Sequence, residues 1–272
     1  MDIGIGTILN SESVDIAELA PQVEKLGFES IWTGDQPTLP VKTENNVPRI
    51  WGDIPDPLIM LARASAVTDK LKLGTAVYVV TERNPLTIAK EIASLDMYSK
   101  GRFIFGIATG SIKEEAILLN SDFEHRWTQA KESVLAMKEL WTKDESEFHG
   151  KYYNFPPVYC YPKPLSKPHP PILLGSMIDK VFGRIVNYAN GWLPISVDPD
   201  TVQKGSEMLN EIASKANLKS SEFDITVLDV KPDKTLISQF ERAGANRVIV
   251  SLDTDTKNNS FKQLEQIAIK LL

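Results

Sequence analysis

The sequence predicts a (β/α)8 barrel of the TIM-barrel class, and three observations carry that expectation. Eight short apolar runs rich in β-branched residues recur along the chain, and the stretches between them space apolar residues by three and four, as helices laid against a sheet do. The 272 residues are the usual length for eight such units. An open doubly wound sheet would more often show fewer strands and a phosphate-binding glycine fingerprint after the first. Gly4-Ile5-Gly6 lacks the third glycine of that fingerprint.

Candidate strands span 3–9, 29–33, 71–77, 102–108, 171–175, 191–195, 223–230 and 247–251. After the first, Val14, Leu19, Val23 and Leu26 mark one helix face, and Gly27 stands where a C-cap is wanted. Asp56-Pro57 and Asn84-Pro85 each read as an N-cap followed by proline at the first helical position, and Gly244 reads as a second C-cap. Two segments exceed the minimal unit. Residues 35–55, after the second strand, form a long βα loop at the catalytic face, a lid or pocket wall rather than a linker. Residues 143–170, before the fifth, hold a stretch from Glu147 to Phe155 that reads as a small hairpin, then a proline-rich run. No repeat or linker interrupts the chain, so one domain over 1–272 is expected.

Composition excludes several classes of function. Thirty basic against thirty-six acidic residues leave a net charge of −6, which argues against nucleic-acid or anionic-membrane binding by bulk charge. One cysteine, Cys160, cannot form an internal disulfide, the N-terminus lacks a signal peptide and no apolar run is long enough to span a bilayer. A cytoplasmic protein is therefore expected. The three histidines (His125, His149, His169) are not spaced as zinc ligands, so no metal is expected. No Gly-Lys-Ser/Thr loop and no Gly-x-Ser-x-Gly elbow occurs, so nucleotide hydrolysis and serine-esterase chemistry have no support.

Barrel enzymes work where strands end and βα loops begin, which sets the candidates by position. They are Thr7, Asp35, Gln36, Thr75, Ala76, Val77, Thr109, Gly110, Ser111, Gly175, Ser176, Pro194 and Asp229. Asp35 is the one carboxylate at the mouth of an early strand, although an aspartate there serves equally as a loop cap. Gly175-Ser176 leads into a helix expected to begin near Ile178 and leaves backbone N–H groups for an anion. Lys180 could assist, whereas Arg184, one turn further on, reads as solvated surface. Trp51, in the long second loop, is a candidate wall for a flat cofactor.

A longer pattern carries more information. Leu73-Gly74-Thr75-Ala76-Val77 is followed by Arg83-Asn84-Pro85 and the run to Asp96, then by Gly101-Arg102-Phe103 through Thr109-Gly110. Pro162-Lys163-Pro164, the segment Lys167 to Ser176, and Ala189-Asn190-Gly191-Trp192 come after in order. This combination closely resembles the luciferase-like monooxygenase superfamily and, within it, the branch of probable coenzyme F420-dependent oxidoreductases. The resemblance implies a barrel holding a flavin or deazaflavin at its C-terminal mouth, where the protein supplies orientation, electrostatics and exclusion of water. It maps Asp35 to a ring contact, Thr75-Ala76-Val77 to a bulge behind the ring that in relatives often contains a non-prolyl cis peptide, and Gly175-Ser176 to the phosphate. Gly110 and Ser111 fall near the cofactor.

The departures restrict the chemistry. Many relatives read Asp-His where this chain has Asp35-Gln36, and the sugar-phosphate dehydrogenases place a glutamate at Ser111. Sugar-phosphate oxidation is therefore not expected, and Asp35, with Glu114 behind it, is the remaining acid/base candidate. The leading expectation is hydride transfer between coenzyme F420 and a small organic substrate. The alternatives are an FMN-dependent monooxygenase served by a separate flavin or F420 reductase, and a non-catalytic flavin-binding protein. Relatives commonly dimerise through the helices after strands two and three. Leu58, Ile59, Leu61, Ala62, Ala66, Ile88, Ile92 and Ala93 exceed one inward stripe, so a homodimer is expected.

Overall fold

A computed structural model describes residues 1–253 and 257–272. The chain opens with β1 (Asp2–Thr7), α1 (Ile16–Leu26), β2 (Ser30–Thr33), α2 (Pro57–Ala66), β3 (Lys72–Thr75) and the short β4 (Tyr78–Val79). It continues through α3 (Pro85–Tyr98), β5 (Phe103–Ala108), α4 (Lys113–Leu118) and α5 (Arg126–Thr142) into the hairpin β6 (Glu145–His149) and β7 (Asn154–Tyr159). β8 (Ile172–Leu174), α6 (Lys180–Tyr188), β9 (Gly191–Trp192), α7 (Pro199–Lys215), β10 (Asp224–Val230), α8 (Lys234–Arg242), β11 (Arg247–Leu252) and α9 (Lys257–Leu271) complete it.

Eight parallel strands close a ring in the order β1, β2, β3, β5, β8, β9, β10, β11, the last pairing back onto β1 with Asp2 opposite Arg247 and Thr7 opposite Leu252. The (β/α)8 barrel is thus present. Its interior is filled by Trp32, Ile104, Leu173, Leu193, Leu228 and Ile249, with Ala76 and Val77 packed above them. Trp32 demands room: a methyl on Gly74, its register partner, would lie 2.2 Å from the indole Cε3, so only glycine lets the two strands pair around that ring. The wider core lies between the strands and the helices.

Capping follows the sequence. Asp56 accepts from the N–H groups of Leu58 and Ile59, and Asn84 from Leu86, each with proline opening the helix, while Gly27 and Gly244 take positive φ after α1 and α8. The expected hairpin is β6–β7.

Four boundaries differ by two residues or more, the first being the end of the first strand, expected at Leu9 and found at Thr7. The third strand, expected to run to Val77, stops at Thr75; the Ala76–Val77 peptide is cis, and the Val79 N–H bonds to the Asp35 carboxylate rather than to a neighbouring strand. The sixth is regular only over Gly191–Trp192, because Pro194 has no N–H to offer the ladder, and a single bridge joins Ile195 to Leu228. The helix after the fifth strand begins at Lys180, not near Ile178, so residues 175–179 form an open turn. On the second and third helices, Leu58, Leu61, Ile88, Ile92 and Ala93 are buried within the chain itself; Ile59, Ala62 and Ala66, on one face of α2, point outward.

Candidate functional site

The C-terminal ends of the strands open into two adjoining cavities. The inner one, about 420 Å³, is walled by Val79, Thr109, Gly110, Glu115, Arg126, Trp127, Gly175 and Ser176; the outer one, about 720 Å³, by Thr7, Ile8, Ala76, Ile195, Leu228, Asp229, Ile249 and Leu252. Asp35, Trp51, Val77 and Ser111 border both. The positions singled out in the sequence therefore converge, and Trp51 joins them. Thr75 and Pro194 are the exceptions, lining neither cavity; Thr75 lies behind the wall, its hydroxyl donating to the Gly106 carbonyl at 2.7 Å. A larger cavity of about 870 Å³, on the outer side of the 35–55 loop, contains none of these residues.

Asp35 is held rather than free. Its Oδ2 accepts from Val79 N at 2.9 Å and Arg83 Nη1 at 2.7 Å, and its Oδ1 from Arg83 Nη2 at 2.9 Å, a bidentate pair whose carboxylate is 1 % exposed. Arg83 also reaches the Asp56 cap at 3.3 Å and lies 4.3 Å over the Tyr78 ring. One guanidinium thus ties together the loop after β2, the start of α2 and β4, and the floor formed by the cis peptide is fixed between them. Burial raises the Asp35 carboxyl above the usual range against the downward pull of Arg83 and the Val79 N–H. The guanidinium, which burial alone would lower, is carried upward by Asp35.

At the other end of the inner cavity the phosphate turn is built differently from expectation. The Gly175 N–H is spent on the Ile107 carbonyl at 2.8 Å, so its contribution is the missing Cβ: a methyl there would lie 2.7 Å from Val77 Cγ1. Arg126 lines the same wall. Arg184 is not plain surface: it packs 4.4 Å over the Trp127 ring, and its Nη1 is buried without a partner. Lys180 is exposed. The Arg126 guanidinium on the wall, with Arg184 stacked on Trp127 behind it, and the glycine gap suit a phosphate-bearing cofactor.

Two acids were not legible in the sequence as site residues. Glu115, one residue beyond the nominated Glu114, lines the inner cavity and accepts from Gln36 Nε2 at 2.6 Å and Thr38 N at 2.9 Å, which pins the long loop; Glu114 instead accepts from Glu44 N. Glu82 is 5 % exposed, directly behind Gly110, and burial together with the nearby Glu115 carboxylate pushes it up to about 8. Neither carried a sequence signal of its own, since adjacent residues of a helix face different ways.

Comparison with known proteins agrees with this geometry. The luciferase-like monooxygenase family matches residues 6–230. An uncharacterised protein of Mycobacterium tuberculosis is 30% identical over 282 residues, covering 100% of this chain and 99% of its own. The F420-dependent glucose-6-phosphate dehydrogenase of Amycolatopsis mediterranei is 30% identical over 176 residues, 62% of this chain and 50% of that protein. Among solved structures, a monooxygenase from Streptomyces bottropensis superposes with a TM-score of 0.81 at 20% identity, covering 100% and 98% of the two chains. The chain belongs to the luciferase-like monooxygenase family and is a flavin- or deazaflavin-dependent oxidoreductase.

Proposed function

We propose that the chain transfers a hydride between coenzyme F420 and a small, largely apolar organic substrate. The observation that carries this reading is the pair of cavities meeting over Val77, one ending in the glycine turn and Arg126, the other largely apolar with carboxylates as its charged groups. The F420-dependent dehydrogenase it resembles is what supports the deazaflavin reading. When bound, the deazaflavin supplies the hydride chemistry at its ring. Val77, Ala76, Asp35 and Ser111 would hold the ring, and Arg126, Ser176 and the Gly175 gap would hold the phosphate. The Arg83 clamp keeps the floor rigid, while Trp51 and the pinned 35–55 loop exclude water from above.

The outer cavity orients the substrate. Ile8, Ile195, Leu228, Ile249 and Leu252 present apolar surface, and among the described residues its charged groups are the carboxylates Asp35, Asp229 and Asp253, with no lysine or arginine. Asp229 is held by the hydroxyls of Ser196 at 2.7 Å and Ser251 at 2.9 Å. A phosphorylated substrate would meet repulsion there. The working unit we propose is a homodimer through the outward Ile59, Ala62 and Ala66 face of α2.

The test is reduction kinetics after loading the protein with each cofactor. Turnover of bound F420 with a neutral carbonyl or alcohol, and none with sugar phosphates, is the expected result. Oxygen-dependent turnover of reduced FMN supplied by a separate reductase would replace this reading with the monooxygenase one. A ring that binds and never turns over would leave a flavin-binding protein.

A further inference from the structure

Glu82 ends the single 3-10 turn Val80–Glu82 after β4, and both of its carboxylate oxygens are buried without a hydrogen-bond partner. A methyl built on Gly110 would lie 2.9 Å from Glu82 Oε1, so the carboxyl backs directly onto a residue that walls the inner cavity. The charged groups facing it are Glu115 from α4, Asp35 from the loop after β2, and its neighbour Arg83. The α5 side meets the same turn through Gln129, an uncharged donor to the Thr81 carbonyl at 3.0 Å.

Among the described residues no cation is left to answer Glu82. Arg83 is committed to Asp35 and Asp56, and Glu115 is already satisfied by Gln36 and Thr38. Among the described residues no group of three His, Cys, Asp or Glu is placed to hold a metal. An ionised carboxylate buried with neither hydrogen bond nor counter-ion is costly, and a proton is the cheapest remedy.

We propose that Glu82 is the proton-holding residue of this site: its neutral acid, seated behind Gly110, is the state in which the phosphate-bearing cofactor binds, and its ionisation weakens that hold. The proposal rests on the flavin or deazaflavin reading above. Glu82 is a positioning residue, acting on the cavity by its charge and not by touching the reacting atoms. With Glu82 neutral, Asp35 and Glu115 face one clamped guanidinium; with it ionised, a third carboxylate is added behind the wall in a poorly solvated place. Burial and Glu115 set the change at about pH 8, within reach of an ordinary titration.

The experiment compares the wild-type protein with Glu82→Gln, the neutral isostere, by fluorescence titration with F420 and with FMN from pH 6.5 to 9.5. Wild-type affinity should fall about tenfold across that range relative to Glu82→Gln, which should keep its low-pH affinity. Using the difference between the two proteins removes the cofactor's own ionisations. A parallel readout needs no cofactor: in the wild-type minus Glu82→Gln infrared difference, the carbonyl stretch of a protonated carboxylic acid should be present at pH 7, fall by half near pH 8 and be gone by pH 9.5. Identical binding profiles in the two proteins overturn the proposal, as does a carboxylate signal from Glu82 at pH 7. If neither cofactor binds at any pH while the infrared titration appears, the flavin reading falls and takes the binding half of the proposal with it.

Discussion

The two ends of the barrel are made from the same strands and treat charge in opposite ways. At the N-terminal end Arg247, 4 % exposed, meets Glu29 at 2.9 Å, Asp224 at 3.3 Å and Asp2 at 3.5 Å, and donates to the Thr226 hydroxyl at 2.9 Å. At the C-terminal end Thr7 Oγ1 and both oxygens of Glu82 are buried without partners, and the one clamped pair, Asp35 with Arg83, serves the shape of the floor. β1 and β11 connect the extremes, starting at Asp2 and Arg247 and ending at Thr7 and Leu252. The floor is satisfied and stabilises the barrel. The mouth leaves buried oxygens without partners, at some expense in stability.

The contrast can be broken first at the floor. Arg247→Met should remove about 3 kcal/mol of unfolding free energy in urea, because it leaves the partly buried Glu29 with Lys72 as its remaining partner and unpairs Asp224 and Asp2, while leaving cofactor affinity unchanged. A loss of affinity comparable to the loss of stability would show that the two ends are not separable. At the mouth, Asp35→Ala should cost about 2–3 kcal/mol, since it leaves Arg83 and the Val79 N–H unanswered, and should weaken cofactor binding at least tenfold. Gln36→Ala, which loses its bond to Glu115 and keeps the clamp, should cost only about 1 kcal/mol. Equal effects of the two would return Asp35 to a loop cap.

The ends should also answer pH with opposite slopes. Burial would raise Glu29, but the hydrogen bond and charge of Arg247 hold it down at about 2, so its contribution is full above its unfolded value near 4.5 and is lost as pH falls toward 2. Glu82 is raised, so its contribution is full below about 4.5 and is lost as pH rises through about 8. Melting curves of the apo-protein should show the alkaline loss in the wild type and not in Glu82→Gln; a flat wild-type curve from pH 6.5 to 9 would contradict it. The smallest expected effect is on assembly: Ile59→Asp should convert a dimer to a monomer in sedimentation velocity with little change in melting. A single-chain boundary in the wild type at low micromolar concentration would end the dimer proposal.

What could be read from the sequence follows the range of each interaction. The eight strands, the proline-opened helices and the hairpin rest on neighbours within a few residues, and all of them are present. The break after Thr75 carries no local signal, and the contact that holds the chain just beyond it, from the Val79 N–H to Asp35, spans 44 residues. Glu82, Glu115 and Arg184 carry no local signature, since a carboxyl or guanidinium acquires its role only when distant strands bury it. The floor of Arg247, Glu29, Asp2 and Asp224 was likewise illegible: its charges are scattered along the chain and meet only once the barrel closes. The mouth was readable as a position, because strand ends are countable. Which acid there is free and which is clamped was not.

The most direct measurement is cofactor binding to the wild type and to Gly175→Val, by calorimetric titration with F420 and with FMN. The floor under Val77 and the gap at Gly175 predict one saturable site per chain for one of the two cofactors. They also predict an affinity loss of at least tenfold in the variant, whose first side-chain carbon would press on Val77 at 2.7 Å, with melting lowered by no more than about 5 °C. Binding of neither cofactor to the wild type, or equal binding by both proteins, would contradict the assignment of this mouth as the cofactor site.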